Sequence, residues 1–147
     1  HPVGVERMKA WLATAVALLL AGTASGTTVQ DHRCLSGGRN DSIHLEWRWL
    51  KDGRADVRYA GQRERLPLHR ISMETTVLAE DRPYQFDSVW EERIDGRLNG
   101  RYLLSTQGAL VLDLRYERAR DGRSTTFHDA PEAWQEDGCR WPGRVAE

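Results

Sequence analysis

Residues 42–54 read Ser42-Ile43-His44-Leu45-Glu46-Trp47-Arg48-Trp49-Leu50-Lys51-Asp52-Gly53-Arg54. Ile43, Leu45, Trp47 and Trp49 recur at every second position, with His44, Glu46 and Arg48 between them. A period of two places one apolar and one polar face on an extended strand, the signature of a half-buried antiparallel strand. Asp52-Gly53 follows, a dipeptide suited to a two-residue hairpin because both residues tolerate positive φ. The alternation resumes at Ala55, Val57 and Tyr59. The stretch is therefore one strand, a tight turn and a returning strand.

The same grammar continues downstream. Gly61 and Pro67 predict a bend, bulge or edge position near residues 62–68. Ile71, Met73, Thr75 and Val77 predict a third long strand, and Asp81-Arg82-Pro83 a turn. Tyr84, Phe86, Ser88 and Trp90 form the next alternating set, and Asp95-Gly96 the second hairpin signal. Leu98, Gly100, Tyr102 and Leu104 point inward, then Leu110, Leu112, Leu114 and Tyr116, with Val111, Asp113, Arg115 and Glu117 outward. Asp121-Gly122 is the third such turn, before a short strand at 124–128. Asp129 as N-cap, with Glu132 three residues on and Pro131 in the first turn, predicts one short helical turn leading to Gly138 and Cys139.

Seven or so one-sided strands expose too much apolar face to lie flat in water, so they must close into a barrel or pair into layers. The expected fold is all-β: a small antiparallel up-and-down barrel, with a two-layer sandwich as the alternative. Gly100, small among large inward neighbours, favours the barrel, because a strand glycine marks a bend or a close approach.

Upstream, residues 8–26 carry Lys9, an uncharged apolar run from Ala10 to about Ala21, and then small residues. That is the layout of a cleaved secretory signal peptide, and the run is too short to span a bilayer. Residues 1–7 read as upstream sequence, and residues 27–147 as a single exported domain, periplasmic or secreted. Cys34 and Cys139 are the two cysteines of the chain, and in an oxidising compartment they predict one structural disulfide. With 21 basic against 22 acidic residues, net charge −1, the chain lacks the basic excess of a nucleic-acid binder. The expected state is a monomer with no transmembrane segment after cleavage.

Motifs for catalysis are missing: Gly-x-Ser-x-Gly, His-Glu-x-x-His and the phosphate-binding glycine loops do not occur. His128-Asp129 is the most suggestive acid–base pair, but neighbouring strand residues face opposite sides. His32, His44, His69 and His128 lack the close spacing of zinc ligands, so no metal, cofactor or catalytic residue is assigned. The aromatic residues remain. Trp47, Trp49, Trp90 and Tyr102 either fill a core or line a ligand cavity, and they are the candidate binding residues. Trp134 and Trp141 flank Cys139 and read as its shield.

Three functions follow from different classes. The first is a non-catalytic exported binding domain for a protein or small ligand of the cell envelope. The others are an envelope structural or assembly protein and a small hydrolase. In size, export and disulfide-closed layout the chain resembles the small periplasmic barrels that inhibit lysozymes, and residues 102–108 resemble their loop. That resemblance implies an inhibitor-like binding protein.

Overall fold

A computed structural model describes residues 28–143; the signal-like segment at 8–26 lies outside the described residues. Eight antiparallel strands close into an up-and-down barrel in chain order: β1 (Val29–Gly37), β2 (Ile43–Leu50), β3 (Ala55–Tyr59), β4 (Leu66–Thr76), β5 (Gln85–Ile94), β6 (Arg97–Gln107), β7 (Leu110–Arg118) and β8 (Ser124–Asp129). β8 pairs with β1 through Leu35↔Asp129, Ser36↔His128 and Gly37↔Phe127, which closes the seam. A β-carbon on Gly37 would run into the Thr126 carbonyl and the Phe127 backbone, so the seam needs glycine there. Gly100 answers a similar demand, since the Tyr116 ring occupies the space a side chain would need. No helix among the described residues is long and apolar enough to cross a membrane.

Bulges account for most departures from simple alternation. The β6–β7 register shifts between Ser105↔Asp113 and Thr106↔Val111, leaving Leu112 as an extra residue. A one-residue shift exchanges the faces of a strand. Val111 consequently turns toward the barrel interior, while Leu110 and Leu112, predicted inward, are 61% and 47% exposed. A second bulge at Ile71, between Arg70↔Trp90 and Ser72↔Val89, turns Leu68 and Arg70 inward and leaves Ile71 exposed; Val77 and Tyr84 fall beyond the strand ends. Of the three Asp-Gly turns, only Asp95-Gly96 has positive φ at both residues; at Gly53 and Gly122 the glycine alone adopts it.

β1 is the strand the sequence pattern does not announce. Its inward positions include Asp31 and Arg33, opposite Trp49 and Trp47, and its outward ones His32 and Cys34. Polar residues thus stand on the face where alternation expects apolar ones. After β8 the chain crosses the outside of β1 and β2 as a strap: a 3-10 turn (Pro131–Ala133), then β9 (Trp134–Gln135) paired with β10 (Gly138–Cys139). Asp129 remains in strand pairing with Leu35, and the turn is capped at Ala130 without a side-chain hydrogen bond, so the capping role expected of Asp129 is not realised. Cys139 joins Cys34 with a Cα–Cα distance of 5.8 Å. On either side of that disulfide, Trp134 stacks on His32 at 4.9 Å and Trp141 on His44 at 4.6 Å.

Beside the strap, the outward charges of β2 and β3 join across the strands. Arg48 clamps Asp56 with two hydrogen bonds of 2.8 and 2.7 Å, and Arg65 reaches Glu46 at 2.6 Å. A planar guanidinium matched to a carboxylate in this way is geometrically specific.

The interior is aromatic above and polar below. Trp47 meets Trp90 and Tyr102 edge to face, with centroids 5.4 and 5.6 Å apart. Below them, toward the Asp95-Gly96 turn, Glu92 is 2% exposed, and its Oε1 accepts hydrogen bonds from Asn99 Nδ2 (2.6 Å) and the Tyr116 hydroxyl (3.0 Å). Tyr59 and Tyr102 share a hydrogen bond close by. Burial pushes the Tyr59 hydroxyl up to about 12, with a partial lowering by Tyr102 and a further rise from the Glu92 charge. Burial likewise raises Tyr102 and Tyr116, with Glu92 adding to both.

These shifts predict alkaline destabilisation. Unfolded tyrosines lose their protons near the ordinary value of 10, whereas the folded Tyr59 holds its proton to about 12. The stability this supplies is complete below about pH 10 and is lost as pH rises toward about 12. From Tyr59 alone the loss is about 2–3 kcal/mol. Urea midpoints measured across this window, with tyrosinate absorbance followed in parallel, are expected to fall; constant midpoints would contradict the coupling.

Candidate functional site

Among the described residues, the end of the barrel formed by the start of β1, the β2–β3 turn, the 77–84 connection and the β6–β7 turn is open. A cavity of about 680 Å³ descends from it, within the range of small-molecule sites. Its apolar lining is Trp49, Phe86, Trp90, Leu104 and Val111, with Met73 and Leu110 toward the rim. Each position follows from the register. Trp90, Ser88 and Phe86 are successive inward residues of β5, and they face Tyr102, Leu104 and Thr106 on β6. The β7 bulge delivers Val111 to the same wall.

Three arginines meet this cavity, in different circumstances. Arg33 is engaged by Asp31 at 3.2 Å and donates to the carbonyls of His32 and Ala109. Arg54 pairs with Asp52 at 2.6 Å across the β2–β3 turn. Arg70, inward on β4 opposite Trp90, lies with its guanidinium carbon 5.9 Å from the Trp90 ring centroid and contacts Met73 sulfur at 3.5 Å.

The four aromatic residues singled out from the sequence divide between two levels. Trp49 and Trp90 line the cavity, whereas Trp47 and Tyr102, 1% and 0% exposed, pack beneath it in the core. Most of the 102–108 stretch is β6 itself, so of that segment the turn at Gly108 is what reaches the rim. Asp31, Arg33 and Arg70 escaped sequence reading. Polar residues on an apolar face carry no periodic signal, and the Ile71 bulge conceals that Arg70 points inward. Phe86 and Met73 were legible in the alternation, but not as cavity residues.

The histidines lie away from this mouth. His32 and His44 are held under the strap, and His32 Nε2 donates to the Gln135 carbonyl at 2.6 Å. His69 is exposed on β4. His128 is exposed and faces Asp41 at 2.9 Å, the hydrogen bond that raises its affinity for a proton, rather than pairing with the Asp129 carboxylate. Glu91 and Glu92 are neighbouring carboxylates in the sequence, but Glu92 points inward and Glu91 outward, so they do not converge. No group of three or more His, Cys, Asp or Glu among the described residues is arranged to hold a metal ion. A smaller hollow of about 310 Å³ on the outside of β4–β7 is bordered by Glu74, Asp87 and Asp113, with Ser105 hydrogen-bonded to Asp87. No protein family, curated protein or solved structure matches this chain.

Proposed function

We propose that the domain is an exported, non-catalytic binding protein that takes a small, largely apolar ligand into the open mouth of its barrel. The observation that carries this reading is the aromatic-floored cavity of about 680 Å³. Burying apolar surface supplies the affinity, about 25 cal/mol per Å² before the costs of association. The strap and its disulfide lie on the outer face of β1–β2, away from the mouth, and tie the C-terminal segment to the barrel wall.

Fluorescent N-phenylnaphthylamine, a neutral apolar probe, tests the reading. Saturable one-to-one binding with emission enhancement is expected, and Trp49→Ala should weaken it about tenfold through the lost ring contact. A probe that does not saturate, or that binds Trp49→Ala as well as the parent, removes the reading.

A second reading rests on a different observation. Met73, Val77, Leu78, Tyr84 and Leu110 are exposed on elements of this same end, an apolar rim suited to a protein partner. Given the resemblance to lysozyme-inhibiting barrels, wall-hydrolysing lysozymes are the first partners to mix with the domain. Undiminished hydrolysis at micromolar concentrations of the domain would eliminate that subtype.

A further inference from the structure

We infer that the mouth selects amphiphiles with a single anionic head, held by Arg70 while the apolar body lies on Trp90 and Trp49. The inference rests on the small-ligand reading above and specifies its chemistry. Its basis is the pairing of the charges around the cavity. Asp31 is matched by Arg33, and Arg54 by Asp52, whereas no carboxylate among the described residues lies within ion-pairing distance of the Arg70 guanidinium. Arg70 is exposed at the mouth, but it does not point away from the barrel. The β4 register aims it inward at the level of Trp90, where its guanidinium carbon lies over the ring at 5.9 Å from the centroid and Nη1 contacts the Met73 sulfur at 3.5 Å. An arginine whose charge rests over an aromatic ring and which has no carboxylate partner retains N–H donors that can bind a carboxylate, sulfonate or phosphate in a forked arrangement.

The position of Arg70 decides the orientation of the ligand. Met73, one inward position nearer the rim, and Trp90, on the neighbouring strand, bracket the guanidinium. A ligand head placed there leaves its apolar body against Trp90, Phe86 and Leu104, and the body supplies most of the binding while the head supplies selection. The charge contact acts partly in solvent, so its contribution to selection is modest.

Two probes with the same ring skeleton isolate the head group: anilinonaphthalene sulfonate, which carries an anion, and N-phenylnaphthylamine, which does not. The sulfonate is expected to bind the parent protein about tenfold more tightly, and Arg70→Met to abolish that preference while changing the affinity for the neutral probe by less than about twofold. Arg70→Lys should restore part of the preference, and Arg97→Gln, at the opposite end of the barrel, should leave it in place. Dodecanoate is expected to displace the sulfonate probe better than dodecanol does. Equal affinities of the two probes for the parent, or an Arg70→Met variant that weakens both alike, would overturn the anionic selection while leaving the cavity reading standing. Absence of binding by either probe would overturn both.

Discussion

Replacing Cys34 and Cys139 together by alanine is expected to lower the stability of the domain by about 4–5 kcal/mol in the chain-entropy account. The size of the effect comes from the length of chain the bridge closes, a sequence separation of 105. Without the bridge the unfolded chain regains the conformational freedom of nearly the whole domain, while the folded barrel keeps its eight-strand ladder. A loss of this order is a large fraction of the stability of an ordinary domain. The folded state is affected too. The strap reaches the barrel through the Ala130 backbone N–H to the Cys34 carbonyl, the Trp134 indole N–H to the His32 carbonyl, and the two tryptophan–histidine stacks, contacts that the bridge holds in register. Urea unfolding of the parent and the double variant gives the comparison directly. A midpoint change equivalent to less than about 1 kcal/mol would contradict the entropic argument and place the bridge among strained, weakly stabilising ones.

Trp47→Ala is expected to cost about 3–5 kcal/mol, the range for removing a large aromatic from a packed core. Trp47 is 1% exposed and is the ring on which Trp49, Trp90 and Tyr102 converge, at 5.9, 5.4 and 5.6 Å. The strands that carry these rings are hydrogen-bonded around a closed barrel, so they cannot collapse to refill the space. Trp47→Phe offers a sharper test. The indole Nε1 is buried with no acceptor among the described residues. Phenylalanine removes that unsatisfied donor along with part of the volume, and the two effects partly offset. Its loss is expected to stay below about 2 kcal/mol, measured by the same urea unfolding. A phenylalanine variant as unstable as the alanine variant would mean that the indole N–H contributes to stability. Because Trp90 rests on Trp47, the alanine variant should also lose binding of the neutral probe, whereas Trp49→Ala, at a partly exposed position, should weaken binding with a smaller loss of stability.

Much of the barrel was legible because its evidence is local. The Ile43 to Trp49 alternation, the Asp-Gly turns and the later inward sets each declare a strand or a reversal within a few residues, and Gly100 declares a close approach that Tyr116 makes. The strand that escaped was β1, whose inward Asp31 and Arg33 belong to the mouth rather than the core. The faces assigned wrongly, at residues 110–112 and near Ile71, sit at bulges, and a bulge is set by the partner strand as much as by the strand that carries it.

The candidate site shows the same division more strongly. Trp47, Trp49, Trp90 and Tyr102 share one periodic signal, since core and cavity wall are both inward faces of strands. Depth along the barrel axis separates them, and depth depends on the stagger of eight strands.

By itself, then, the sequence determined that this protein is a chain of antiparallel hairpins with apolar inner faces, and which two cysteines could clasp its ends. Those properties follow from neighbours a few residues apart and from the count of thiols. Tertiary structure alone decided that the sheet closes between Gly37 and Phe127, that the strap lies outside β1 and β2, and that Arg70 meets Trp90 at an open mouth. The physical reason is that closure and register are settled by pairings between residues far apart in the chain, and a one-residue bulge in one strand re-aims side chains that no local pattern can place.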